Sequence, residues 1–153
     1  LPPEGWCYGK HDHEPYGSMT AGGVGSLVLY DSLQGRDWTR DREVASGLEW
    51  LDRNFSVDVN PGRYEHEGGE TNSPRRLYYY LYALERALAL YGTDRIGARD
   101  WHALGAEALI AAQEPGGAWT TKDRKGSDVA DTCFAILFLR KVTRGLVDTP
   151  TRK

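Results

Sequence analysis

Apolar residues recur at helical spacing in five separated stretches of this chain, and period-two alternation is almost absent. The pattern predicts five helices joined by long polar loops rich in glycine and proline. The first is expected from about Ser18 to Leu33, with Ser18 as N-cap and Val24, Leu27, Val28 and Leu33 as its apolar positions. Three glycines in its early turns weaken it. The second spans roughly Asp41 to Phe55, with Val44, Leu48, Leu51 and Phe55 on one face and Arg42, Glu43, Glu49 and Arg53 on a solvated outer face. The third opens at Ser73 and Pro74, carries Leu77, Leu81, Leu84 and Leu88, and closes near Gly92. The fourth begins after Gly97, places Trp101, Leu104, Ala108 and Leu109 on one side, and ends near Gln113. The fifth runs from about Asp128 to Val142. Its stretch from Cys133 to Leu139 is apolar nearly all round, which predicts an inner helix enclosed by others.

The loops suggest repetition. A glycine-preceded aromatic stands ahead of the first, third and fifth helices, at Trp6, Tyr64 and Trp119, and the separations between them are nearly equal. From these corners to the early-helix residues Thr20, Tyr78 and Thr132 the spacing is again nearly constant. One corner plus two helices cannot bury its apolar faces alone, so neighbouring units must stack into a solenoid or a closed ring. Two and a half units make an arc, which leaves the rest of a ring to further sequence or to another copy.

Composition narrows the picture. At 153 residues and 40% hydrophobic, residues 1–153 are the size of one domain. The 19 Lys and Arg against 22 Asp and Glu give a net charge of -3 without long like-charged runs, so no field for nucleic acid or anionic lipid is built in. No stretch approaches the ~20 apolar residues of a bilayer span. The chain opens at Leu1 rather than Met, which leaves room for an upstream targeting segment or domain and leaves the compartment open. Cys7 and Cys133 are expected to be free thiols. Asn54, Phe55 and Ser56 have the form of a glycosylation acceptor, but Phe55 also continues the stripe of the second helix.

Particular residues then carry a family likeness. The run from Gln113 to Trp119 (Gln-Glu-Pro-Gly-Gly-Ala-Trp) resembles the Gln-to-Trp repeat motif of squalene and oxidosqualene cyclases. That resemblance implies packing roles for Gln113, Gly117 and Trp119, the amide meeting free groups at a helix end while the indole covers the join. Trp6 and Tyr64 look like copies without the Gln. The run from Tyr78 to Gly92, the residues Ile96 to Trp101 with Gly105 to Glu107, and Ala130 to Ala135 are together similar to bacterial prenyltransferase/squalene-oxidase-repeat proteins across most of the chain. The implied fold is all-α, an α/α-toroid-like arc of helical hairpins with about five main helices.

Asp128 to Cys133 resembles the Asp-x-Asp-Asp-Thr-Ala element of squalene-hopene cyclases, whose middle Asp is the proton donor. Here that position is Ala130, so cyclase activity is not expected. Beside protein prenyltransferase β subunits, Asp131 and Cys133 resemble a pair of zinc ligands. The third ligand, a downstream His, has no counterpart after His102, and two ligands do not hold a catalytic zinc. No cofactor is therefore expected, zinc at Asp131 and Cys133 being the alternative; the plainer roles are a charge near a helix N-terminus and a small core residue.

Other features weigh less. The loops from His11 to Glu14 and from Glu65 to Glu67 hold groups that could bind metal or substrate, although exposed polar loops are usually only solvated. The loop from Ser56 to Asn72 is long for a structureless connection. Ala21 to Ser26 lacks the lysine and strand of a phosphate-binding loop and reads as close helix packing. Tyr78, Tyr79, Tyr80 and Tyr82 cover several faces of one helix, so one or two should line a cavity. The combined reading is a binding or scaffold module with an apolar-aromatic cavity for a hydrophobic or isoprenoid-like small molecule. Its candidate residues are Thr20, Tyr64, Tyr78, Asp131 and Cys133. The competing class is an enzyme: a zinc-dependent prenyltransferase-like protein, a terpene cyclase with a displaced acid, or a sugar-polymer lyase.

Overall fold

The computed structural model describes residues 4–9, 13–64, 70–121, 128–143 and 145–146. These residues are mostly helical: α1 (Gly17–Leu33), a 3-10 turn (Trp38–Arg40), α2 (Arg42–Arg53), α3 (Leu77–Tyr91), α4 (Trp101–Ala112) and α5 (Asp128–Leu139). Two short antiparallel hairpins join them, β1 (Asn60–Tyr64) with β2 (Glu70–Ser73), and β3 (Arg95–Ile96) with β4 (Arg99–Asp100). The hydrophobic pattern gave no sign of either hairpin, since these strands are short and polar and β1 contains Pro61 and Gly62. The long connection after Ser56 thus has structure of its own.

Helix ends follow ordinary capping chemistry in three places. The Asp41 carboxylate accepts from the Glu43 and Val44 amides at 2.7 and 3.1 Å, and Asp100 accepts from Ala103 at 2.9 Å. Gly92 closes α3 in the left-handed conformation at φ 93. Two expected starts are corrected. Ser18 does not cap α1; it lies inside the helix, and Asn60 on β1 takes the capping role, accepting from the Ser18 amide at 2.9 Å and donating to its hydroxyl at 3.0 Å. α3 begins at Leu77 rather than at Ser73 and Pro74, because Ser73 pairs with Asn60 in the hairpin and Arg76 turns through φ 58.

The helices pack as a series of neighbours. α3 packs on α1 at one side and on α5 at the other, while α2 lies against α1 and α4 against α5. The enclosed helix is therefore α3, with Tyr80, Leu81, Leu84, Ala87 and Leu88 fully buried. Glu85 on α3 is also fully buried, and its carboxylate accepts the Thr143 amide at 3.1 Å and the Thr143 hydroxyl at 2.7 Å, which offsets its desolvation. α5, expected to be enclosed, leaves Val129 79% and Ile136 43% exposed, and Cys133 faces solvent rather than the core. Leu33, assigned to the buried stripe of α1, is 84% exposed.

Two corners share one geometry. The Trp6 amide donates to the Thr20 hydroxyl at 3.0 Å across 14 residues, and the Trp119 amide donates to the Thr132 hydroxyl at 3.1 Å across 13. Thr132 returns a hydrogen bond to the Trp119 carbonyl at 3.2 Å. At the middle corner Tyr64 belongs to β1 and pairs with Glu70, and Tyr78 has no hydroxyl close enough to its backbone to repeat the bond.

The indole of Trp6 explains two helix-interior glycines. A Cβ on Gly23 would lie 2.6 Å from the Trp6 ring, and one on Gly47 would also lie 2.6 Å from it, so these residues form a notch between α1 and α2. Gly23→Ala is expected to lower stability by about 1 kcal/mol, a clash of roughly 1–3 kcal/mol outweighing a propensity gain of roughly 1 kcal/mol. With Trp6→Ala in the background the same change should become neutral or stabilising. Chemical denaturation of the four proteins checks this, and an unchanged cost in both backgrounds would rule out the notch.

Candidate functional site

Small residues set the spacing of α1 and α3. A Cβ on Gly25 would meet the Ala87 Cα at 3.6 Å, an ordinary contact that keeps the helices close, whereas a Cβ at Gly22 would have nothing within 4 Å. The difference opens a groove of about 180 Å³ between the two helices. Ala21, Gly22, Gly25, Ser26 and Leu29 form one wall, and Tyr79, Tyr82, Ala83, Ala87 and Leu90 form the other. α5 braces the aromatic side: the Phe134 ring lies 5.3 Å from Tyr79 and 5.2 Å from Tyr82, stacked on the latter.

Arg86 sits in the same lining, exposed at the rim. Its guanidinium lies 5.7 Å from the Tyr82 ring centre and donates to the Tyr82 hydroxyl at 3.4 Å. Among the described residues no carboxylate pairs with it. The result is an apolar and aromatic trough with one cation beside it. Among the described residues the lining holds no His and no carboxylate; its polar groups are Ser26, Tyr79, Tyr82 and Arg86.

The residues singled out from sequence are distributed otherwise. Thr20 is fully buried and accepts the Trp6 amide, which makes it a corner residue rather than a cavity residue. Tyr78 is 6% exposed in the core; burial pushes its phenol pKa up, with the Asp131 and Glu114 charges adding to the shift. Its neighbours Tyr79 and Tyr82 line the groove in its place. The signal for them was available: residues 79, 82, 83, 86 and 90 fall on one helical face. The side chain of Tyr64, like His11, Asp12, Glu65, His66 and Glu67, lies outside the described residues.

Asp131 is 5% exposed, and its Oδ2 accepts from the Thr121 amide at 3.1 Å and the Thr121 hydroxyl at 2.8 Å. It ties the segment after Trp119 to the start of α5. Cys133, two residues along and so about 200° around the helix, faces solvent, and the two side chains do not converge on one ion. Among the described residues no three His, Cys, Asp or Glu side chains gather as a metal-binding group.

The Gln113 amide donates to the Gly117 carbonyl at 3.0 Å, closing the turn in which Gly117 adopts φ 86. Trp119, not Gln113, meets the helix end: its indole N–H donates to the Leu109 carbonyl of α4 at 2.7 Å. No family model, curated protein or solved structure matches this chain.

Tyr80, beside the groove residues on α3, is fully buried, and burial holds its phenol pKa far above the ordinary value of about 10, with only partial relief from the Ser56 backbone and the Arg99 charge. A raised folded-state pKa means that its stabilising effect is complete below about pH 10 and is lost as pH climbs above it. Urea midpoints between pH 8 and pH 11 should therefore fall on the alkaline side, and Tyr80→Phe should flatten that fall. An identical alkaline slope in the variant would contradict the assignment.

Proposed function

We propose that this chain is a helical-hairpin repeat module of α/α-toroid type that binds the apolar part of a small amphiphile in the groove between α1 and α3. The observation that carries the reading is the trough itself, walled by Leu29, Tyr79, Tyr82 and Leu90 and rimmed by the exposed cation of Arg86. A hydrophobic or isoprenoid-like tail suits the walls, and a polar or anionic head suits Arg86. The arc reading is supported by the two matching tryptophan corners and by the packing of α3 between α1 and α5, with α2 against α1 and α4 against α5.

An enzyme reading draws less support. Ala130 stands where a cyclase would carry its acid, Asp131 is engaged by Thr121, and Cys133 points away from it. The size of the groove limits affinity. Taking about 30 Å³ per water-sized group, it holds roughly six methylenes. At about 0.8 kcal/mol each, with about 1.5–3 kcal/mol from a charge-assisted contact, binding falls in the micromolar range.

Calorimetric titration with decanoate and decanol tests the proposal. Decanoate should saturate with a Kd of about 1–100 µM, and decanol should bind more weakly. Gly22→Leu places a side chain in the open mouth, where its Cβ meets nothing within 4 Å, and should weaken decanoate at least tenfold while leaving helicity intact or increased. Arg86→Ala should remove the preference for decanoate over decanol. No saturable binding, or binding indifferent to Gly22→Leu, would overturn the reading.

A further inference from the structure

The two walls of the groove differ in kind. On α1 the wall has little side chain: Gly22 and Gly25 present bare backbone, and Ala21 adds one methyl. A Cβ at Gly22 would have nothing within 4 Å, so this stretch of wall is flat and open towards the groove. On α3 the wall is made by the phenol rings of Tyr79 and Tyr82. Phe134 holds both, tilted by 57° to the Tyr79 ring and stacked at 29° on that of Tyr82. A bare helix backbone facing two held rings makes a slot, and a slot favours a flat occupant over a thick one.

The dimensions agree. At about 180 Å³ the groove is slightly larger than an apolar protein cavity of about 150 Å³ that holds benzene, which leaves room for one such ring and a short substituent. A planar ring gains from aromatic neighbours through offset or edge-to-face contact beyond the burial of its area, and it has no internal torsions to freeze. A linear tail with as many carbons gains burial alone and loses its torsional freedom.

Charge at the rim fixes the other end of the ligand. The Arg86 guanidinium lies beside the Tyr82 ring and hydroxyl, and among the described residues no carboxylate neutralises it. Arg86 and Tyr82 are one turn apart on the same face of α3, so an anionic group on a short arm reaches the cation while its ring rests against the tyrosines.

We propose that the groove selects a single aromatic ring bearing a carboxylate on a short arm, an aryl alkanoate in chemical class, over a linear or saturated tail. The inference rests on the groove as the binding site and adds which apolar part fits it. Tyr79 and Tyr82 are then the specificity-determining residues, and Arg86 holds the acid.

Calorimetric titration with phenylpropanoate, cyclohexylpropanoate and nonanoate, which share one carbon count, tests it. Burial of apolar area alone ranks the two saturated acids ahead, because they carry more apolar surface. The aromatic slot reverses that order, and phenylpropanoate should bind about three- to tenfold more tightly than cyclohexylpropanoate. Tyr79→Leu/Tyr82→Leu should abolish the preference, whereas Tyr82→Phe, which keeps the ring, should retain it; circular dichroism verifies folding. Should the double variant not fold, the ranking in the unmodified protein decides alone. Cyclohexylpropanoate binding as tightly as phenylpropanoate or more so, or a preference that survives the double leucine change, would overturn the inference. Nonanoate and decanoate binding without that preference would leave the groove reading standing, while failure of every acid to bind would overturn both.

Discussion

A tryptophan amide held by the hydroxyl of a threonine in the helix that follows is the contact from which the rest of this architecture proceeds. It fixes where the incoming chain crosses the first turns of α1 and again of α5. A buried amide without an acceptor costs about 1–3 kcal/mol, so the threonine is not a free choice once the corner is formed. With the backbone pinned, each indole has one place to go. Trp6 enters the notch left by Gly23 and Gly47, and Trp119 reaches the end of α4 through the Leu109 carbonyl. The corners therefore do two jobs, launching one helix and holding the helix beside it.

Between the corners the packing depends on where side chains are small. Gly17 makes room for Tyr80, Gly25 lets α1 approach α3, and the missing side chain at Gly22 leaves the groove open. The ring of Phe134 keeps Tyr79 and Tyr82 upright as a wall. The same glycines that weaken α1 as an isolated helix are what allow it to form one side of the groove. Burial of Asp131 under Thr121 and of Glu85 under Thr143 follows the same logic: both carboxylates accept backbone amides and tie non-helical segments to α5 and α3.

Much of this was legible in sequence wherever a local rule governed it. Asp41 and Gly92 marked their helix ends through side-chain and backbone chemistry that acts within a turn, whereas the start of α4 was read after Gly97 and the cap is Asp100. The pairing of Trp6 with Thr20 and of Trp119 with Thr132 was visible as spacing, although spacing did not reveal that the bond runs from the amide. What depended on distant partners was not visible. Asn60 caps α1 from 42 residues away, so Ser18 was the natural but mistaken choice. An all-apolar α5 signalled burial on every side, yet Val129, Cys133 and Ile136 are exposed among the described residues, because periodicity cannot distinguish a core face from an exposed one. For the site, four tyrosines on α3 announced a cavity without saying which would face it. That choice was made by the closeness of α1, a tertiary fact.

The most direct measurement is hydrogen exchange at the Trp6 and Trp119 amides, in the parent protein and with Thr20→Val and Thr132→Val. Both amides should exchange slowly in the parent, and each substitution should release its own tryptophan while Thr→Ser at the same site preserves protection. Rapid exchange at either tryptophan in the parent protein, or protection indifferent to the loss of the hydroxyl, would contradict the shared corner and with it the stacked-repeat proposal.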